Sequence, residues 1–130
     1  MRIAVRRPRS EREPVLWVID AEQWPRACLC AELIERGYDP RGFLTVADAL
    51  DWLAQGAPKP EAIILELRGQ NLTEGLVESI RSLGSPTILL GGITEMNDRL
   101  VQNQNWDTVL RRPFTVGAVV TIVQGLVTRE

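Results

Sequence analysis

At 130 residues, with 45% hydrophobic and 25% charged residues, the chain has the size and composition of one compact globular domain. The sequence contains no histidine, which excludes Ser-His-Asp and Cys-His catalysis and every His-ligated metal site. The net charge of -2 is unevenly distributed: the first 14 residues carry five arginines and two glutamates, and the remainder carries 10 basic and 15 acidic residues. This acidic body makes nucleic acid an unfavourable partner for the folded domain.

The basic start of the chain, residues 1–14, predicts a flexible arm, and residues 15–130 predict the folded domain. No apolar run approaches the roughly 20 residues of a membrane span, and the arm lacks the apolar stretch of a secretion signal. We therefore expect a cytoplasmic protein. Cys28 and Cys30 match no disulfide or metal-site spacing, so reduced, packed thiols are predicted.

Short apolar runs alternate with amphipathic segments along the domain. The runs predict strands at residues 15–19, 41–44, 62–65, 86–90 and 108–110. The segments between and after them predict helices at residues 25–36, 46–53, 76–83, 94–102 and 115–128. Five strand–helix pairs in strict alternation imply right-handed crossovers. The predicted fold is therefore α/β, with a doubly wound, five-stranded parallel sheet and helices on both faces.

The functional crevice of a doubly wound sheet lies beyond the carboxyl ends of its strands. Four segments reach that edge, with the sequences LWVIDAEQWPR, AIILELRG, SPTILLGG and VLRRPF. In order and spacing they resemble the receiver domain of bacterial response regulators (CheY-like), over residues 15–127. The resemblance implies a flavodoxin-like fold and a role in two-component signalling.

The resemblance also implies which residues stand at the phosphorylation site. In receivers, an acidic pair after the first strand and an Asp after the third hold Mg²⁺, and the third-strand Asp accepts the phosphoryl group. A Ser or Thr ends the fourth strand, and Lys-Pro follows the fifth. The corresponding positions here form a degenerate acceptor site, made of Asp20, Ala21, Glu66, Gly91, Arg112 and Pro113. Val109 replaces the aromatic residue that rotates during signalling.

These substitutions predict that the phosphorylation chemistry is lost. Glu66 is one methylene longer than Asp, which displaces a nucleophile by more than the ~1 Å that costs about a hundredfold in rate. Mg²⁺ needs a near-octahedral shell of oxygen ligands, and Ala21 supplies none. No metal or other cofactor is expected, although a weakened metal site would draw on Asp20, Glu22 and Glu66. Arg112 is predicted to form an ion pair with Glu66 and a cis peptide bond with Pro113.

The favoured interpretation is a pseudo-receiver: a regulatory protein-interaction module, not an enzyme, that acts independently of phosphorylation. Receivers commonly bind partners through their fourth helix, fifth strand and fifth helix. This implies an interaction surface that includes Thr94, Met96, Val109, Val116, Val120 and Val123. Expected partners are a kinase, another regulator or a second copy of the chain, in a homodimer through the last strand and last helices. An exposed Trp24 or Trp106 would indicate a further partner site.

Three alternatives stay open. Glu66 would still accept phosphate if a metal bound at Asp20 and Glu22. A small ligand would enter the crevice near Gly91 and Gly92, where glycines allow close approach. The arm, with Arg2, Arg6, Arg7, Arg9 and Arg12, would recruit the protein to nucleic acid or to an anionic membrane surface.

Overall fold

The computed structural model describes residues 13–128, in which strands and helices alternate. The strands are β1 (Val15–Ile19), β2 (Asp39–Phe43), β3 (Ala62–Glu66), β4 (Thr87–Gly91) and β5 (Thr108–Arg111). The helices are α1 (Gln23–Glu35), α2 (Val46–Ala54), α3 (Glu74–Ser82), α4 (Ile93–Met96), α5 (Arg99–Gln102) and α6 (Val116–Leu126).

The strands form one parallel sheet in the order β2-β1-β3-β4-β5. This confirms the predicted doubly wound architecture. The chain winds outward in both directions from β1 and β3, so the strand order reverses between these two strands. The carboxyl ends of β1 and β3 therefore border the crevice in which ligands of such sheets bind.

The sheet is covered on both faces because its central strands are apolar on both sides. In β1, Leu16 and Val18 belong to one core cluster, which also contains residues of α1 and α6. Trp17 and Ile19 belong to the other cluster, with residues of α2 and α3. Every residue of β3 and β4 is buried, which explains why most of their residues are apolar.

The predicted helix over residues 94–102 is wrong. Two one-turn helices, α4 and α5, occupy this stretch, separated by Asn97 and Asp98. The Asp98 carboxylate accepts a hydrogen bond from the Leu100 N–H at 2.8 Å, so Asp98 starts a new helix as its N-cap. β2 also differs, because it begins at Asp39 and includes Pro40; an edge strand tolerates the missing proline N–H.

Most of the predicted arm lies outside the described residues, as do residues 129 and 130. Of the part described, Pro14 belongs to the fold, since its carbonyl accepts a hydrogen bond from the Asp39 N–H at 2.9 Å. Cys28 and Cys30 are half-buried free thiols. Burial raises the pKa of the Cys30 thiol, which keeps it protonated at neutral pH. Within residues 13–128, no helix combines the length and apolar character that a membrane span needs.

Candidate functional site

The site residues predicted from the strand ends lie together at the carboxyl edge of the sheet. Asp20 follows β1, Glu66 ends β3, Gly91 ends β4 and Arg112 follows β5. The Arg112 N–H donates to the Gly91 carbonyl at 2.9 Å, which extends the pairing of β4 and β5 by one residue. The Arg112–Pro113 peptide bond is cis, as predicted.

Glu66 is a buried carboxylate with both oxygens engaged. The side chain is 3% exposed, and its Oε1 accepts a hydrogen bond from Arg112 Nη2 in an ion pair. Its Oε2 accepts a hydrogen bond from the Arg68 N–H at 3.0 Å. The Arg112 guanidinium also lies over the Phe114 ring, 5.3 Å from its centroid. The predicted ion pair is thus present, and the loop after β3 adds a second donor.

Asp20 is buried at the end of β1 beside this pair. Its Oδ1 accepts a hydrogen bond from the Glu22 N–H at 2.9 Å, and its carbonyl accepts one from Arg26 Nη1 at 2.7 Å. Burial raises the pKa of the Asp20 carboxyl, although the hydrogen bond from the Glu22 N–H and the nearby charges of Arg68 and Arg26 oppose the rise. The site therefore disfavours the ionised form of Asp20.

The three acidic side chains do not assemble a metal site. Glu22 turns toward Arg68 and forms an ion pair with it at 2.9 Å, while Glu66 is held by Arg112. In the described part of the chain, no group of three or more Asp, Glu, Cys or His residues could hold a metal ion. The weak metal site considered for Asp20, Glu22 and Glu66 is therefore not formed, because arginines hold two of its carboxylates.

The two glycines at the end of β4 leave little space beside their own backbone. A Cβ added at Gly91 would lie 3.3 Å from Met96 Cε and 3.4 Å from Leu67 Cδ1. The Gly92 N–H donates to Glu95 Oε1 at 2.6 Å, so a carboxylate from α4 already binds at this helix start. Side chains of the protein therefore occupy the space directly beside these two glycines, and a small ligand elsewhere in the crevice stays a prediction.

Ala21, at the second acidic position, packs against the loop after β3. Gly69 in that loop has φ +80°, and a Cβ there would lie 2.9 Å from the Ala21 Cβ. The two loops thus approach closely at the point where receivers place a metal ligand. Only a residue without a side chain accommodates this conformation and contact.

The sequence did not identify Arg68 or Glu95 as site residues, although both fix polar groups at the crevice. Arg68 is two residues beyond Glu66, within a loop whose conformation no periodic pattern predicts. Glu95 had a usable signal, since Gly92 to Glu95 has the spacing of a capping box, in which the third helical residue binds the N-cap N–H.

The predicted interaction surface is smaller than expected. Thr94, Val109 and Val116 are exposed, and Val109 and Val116 retain 46% and 40% of their accessible surface. Met96, Val120 and Val123 are buried, which corrects their assignment to this surface. Met96 packs in the cluster on one face of the sheet and the two valines in the other. Most of the valines of α6 therefore pack against the sheet and are not available to a partner.

The tryptophans divide between surface and core. Trp24, at the start of α1, is 77% exposed and remains a candidate for partner contact. Trp17 is fully buried, as predicted. Trp106 is partly buried, donates its indole N–H to the Val101 carbonyl at 2.8 Å and lies beneath the Arg81 guanidinium.

Replacement of Asp20 by asparagine is expected to stabilise the protein at neutral pH. Because the folded-state pKa is raised above 3.8, the folded protein binds more protons than the unfolded chain above that pH, and ionisation of Asp20 lowers stability as the pH rises. Asparagine cannot ionise, yet it still accepts the Glu22 N–H. Urea denaturation should show Asp20→Asn above wild type at neutral pH and equal to it below pH 3.8. A less stable variant at neutral pH would contradict the raised pKa.

A doubly wound parallel sheet, with acidic residues after β1 and at the end of β3 and an Arg-Pro after β5, resembles the receiver fold. The chain is similar to chemotaxis response regulator CheY4 of Vibrio cholerae, with a TM-score of 0.72 and 19% identity over 88% of this chain and 99% of that chain. It is similar to the receiver domain of the TMAO respiratory system response regulator TorR, with a TM-score of 0.73 and 17% identity over 87% and 95%. NtrX from Brucella abortus also matches, with a TM-score of 0.69 and 16% identity over 88% of this chain but 26% of NtrX.

The chain therefore has the fold of response-regulator receiver domains. At these identities the likeness establishes the fold alone. No protein-family model matches the sequence, and no curated protein matches it.

Proposed function

We propose that this chain is a regulatory protein-interaction module with a receiver fold, and that it acts without phosphoryl transfer and without Mg²⁺. The observation that carries the proposal is the state of Glu66, a buried carboxylate whose two oxygens are bound by Arg112 and by the Arg68 N–H. A nucleophile needs a free oxygen aimed at the phosphorus atom, whereas each oxygen of Glu66 is already held by a donor and the side chain is only 3% exposed.

The charge at the crevice supports the same proposal. A divalent cation is held by surplus negative charge and by several unpaired oxygens. Here the carboxylates of Glu22 and Glu66 are neutralised by arginines, and burial disfavours the charged form of Asp20. Mg²⁺ would have to break two ion pairs to enter, so we propose a module that does not catalyse phosphoryl transfer.

The proposed partner surface lies along β5. Val109 is exposed and lines a groove of about 410 Å³ together with Trp106 and Arg111. An exposed valine, a partly buried indole and an arginine suit a partner with an apolar anchor and an acidic flank. The partner is a regulator, a kinase or a second copy of the chain.

Capture from a lysate of the native cells tests this function. We expect the same partner with and without acetyl phosphate and Mg²⁺, since the module has no phosphorylated state. Val109→Asp should weaken capture by roughly tenfold or more, as expected for a central apolar contact. The matched control is Ile34→Asp, at an exposed residue of α1 away from β5, which should leave capture intact.

Size-exclusion chromatography of the pure protein identifies the case in which the partner is a second copy. A dimer that Val109→Asp dissociates would assign the surface to self-association. A partner captured only after treatment with acetyl phosphate would contradict the proposed function.

A further inference from the structure

The strand β5 forms one edge of the sheet, and its outer side has no partner strand. The Arg112 N–H donates to the Gly91 carbonyl at 2.9 Å, so alternate residues of β5 turn their N–H and C=O groups toward β4. The backbone groups of Val109 and Arg111 turn the other way, and no hydrogen bond within residues 13–128 engages them. Unpaired backbone groups along an edge strand are a template for pairing with another strand.

The two edges of the sheet differ in their protection against such pairing. At the other edge, the Asp39 N–H of β2 donates to the Pro14 carbonyl, so the next residue, Pro40, faces outward and carries no N–H. An outward-facing proline is a common device that prevents edge strands from pairing. Residues 107–111 contain no proline, and Val109 and Arg111 are both exposed. The edge at β5 is therefore open to a partner.

The charges along β5 are complementary to those of a second copy of the same strand. Asp107, Val109 and Arg111 are spaced two residues apart, which places them on the same face of an extended chain. Arg111 forms no ion pair within residues 13–128. Asp107 Oδ2 accepts the Thr87 N–H at 2.8 Å, whereas no donor in the same part of the chain binds its Oδ1. One copy thus carries an acid and a base on either side of Val109.

This arrangement selects one pairing register. In an antiparallel pair centred on Val109, Arg111 of each copy lies opposite Asp107 of the other, and the two valines face each other. A pair centred on Leu110 would instead place Arg111 opposite Val109 and leave Asp107 without an opposite charge. A lone charge on an edge strand opposes association, but the first register turns both charges into attractive contacts.

We propose that β5 pairs with β5 of a second copy in an antiparallel, two-fold symmetric dimer, whose two sheets join into one. Val109 of each copy exchanges both backbone hydrogen bonds with Val109 of the other, and Arg111 forms an ion pair with Asp107 on each side. Such an interface is isologous, because the same patch of both copies meets across the symmetry axis. The inference rests on the proposed function, since it names the partner that occupies the surface along β5.

Sedimentation of the full-length protein over about a hundredfold range of concentration tests the dimer. We expect a monomer–dimer equilibrium in wild type. Arg111→Glu and Asp107→Arg each place like charges opposite one another and should weaken the dimer by about tenfold or more. An equimolar mixture of the two variants restores both ion pairs in the mixed dimer, so it should associate about as tightly as wild type. Urea denaturation of each variant verifies that it is folded.

Amide hydrogen exchange followed by NMR reports the backbone pairing itself. The Val109 N–H should exchange at least about tenfold more slowly in dimeric wild type than in Asp107→Arg at the same concentration. The Leu110 N–H, which faces β4, is the internal control and should be protected in both proteins.

Three results would overturn the dimer: a monomer at every concentration, variants that do not associate when mixed, or a dimer in which the Val109 N–H exchanges rapidly. None of them bears on the proposed function, which fails instead if a partner is captured only after treatment with acetyl phosphate.

Discussion

Replacement of Arg112 by alanine is expected to lower the free energy of unfolding by about 2–3 kcal/mol. Removing one partner of a fully buried ion pair costs about 3–5 kcal/mol, because the other charge stays buried without compensation. The Glu66 side chain is 3% exposed, but that of Arg112 is 32% exposed, so water partly replaces the guanidinium and the loss is smaller. Urea denaturation at neutral pH measures the difference.

Two further variants show whether the loss comes from the unpaired carboxylate. The double variant Arg112→Ala with Glu66→Gln removes the stranded charge and should recover much of the lost stability. Arg68→Ala removes the guanidinium of a solvent-exposed pair and keeps the backbone N–H that binds Glu66, so it should cost about 0.5 kcal/mol or less. Equal losses in Arg68→Ala and Arg112→Ala would show that Glu66 does not depend on Arg112.

Val123→Asp is expected to prevent stable folding. Val123 is fully buried in the cluster between α6 and the sheet, and an aspartate there would lose its hydration without gaining a partner. The cost of an unpaired buried charge reaches several kcal/mol, a large share of the roughly 5–15 kcal/mol that stabilises a typical protein. Circular dichroism and urea denaturation should show an unfolded or severely destabilised chain.

The matched control for that change is Val116→Asp in the first turn of the same helix. Val116 is 40% exposed, and an acidic residue interacts favourably with the positive end of the helix dipole. Its stability should lie within about 0.5 kcal/mol of wild type, as for most surface substitutions. If Val123→Asp folded as well as Val116→Asp, the burial of α6 described above would be wrong.

The sheet could be predicted because its strands carry the strongest signals in the sequence. β3 and β4 contain short apolar runs, residues 62–65 and 88–90, and such runs between helical segments indicate strands buried on both faces. Parallel strands bring their carboxyl ends to one edge, so the proximity of Asp20, Glu66 and Arg112 followed from topology alone. The ion pair between Glu66 and Arg112 could also be predicted, because the two side chains carry opposite charges and the topology brings them to the same edge.

Other features depend on packing that a linear pattern does not encode. The valines at 116, 119, 120 and 123 in α6, together with Val127 just after it, would cover more than one face of a helix, so the sequence did not show which of them contact the sheet. The division of α4 from α5 depends on the Asp98 cap, a hydrogen bond that competes with continued helix. The orientation of Arg68 and the filled space at Gly91 depend on contacts between loops far apart in the sequence.

Intact-mass spectrometry after incubation with acetyl phosphate and Mg²⁺ tests the central claim most directly. We expect an unchanged mass, because both oxygens of Glu66 are bound within the protein and the Glu22 carboxylate is paired with Arg68. A stoichiometric gain of one phosphoryl group, abolished by Glu66→Gln, would contradict it.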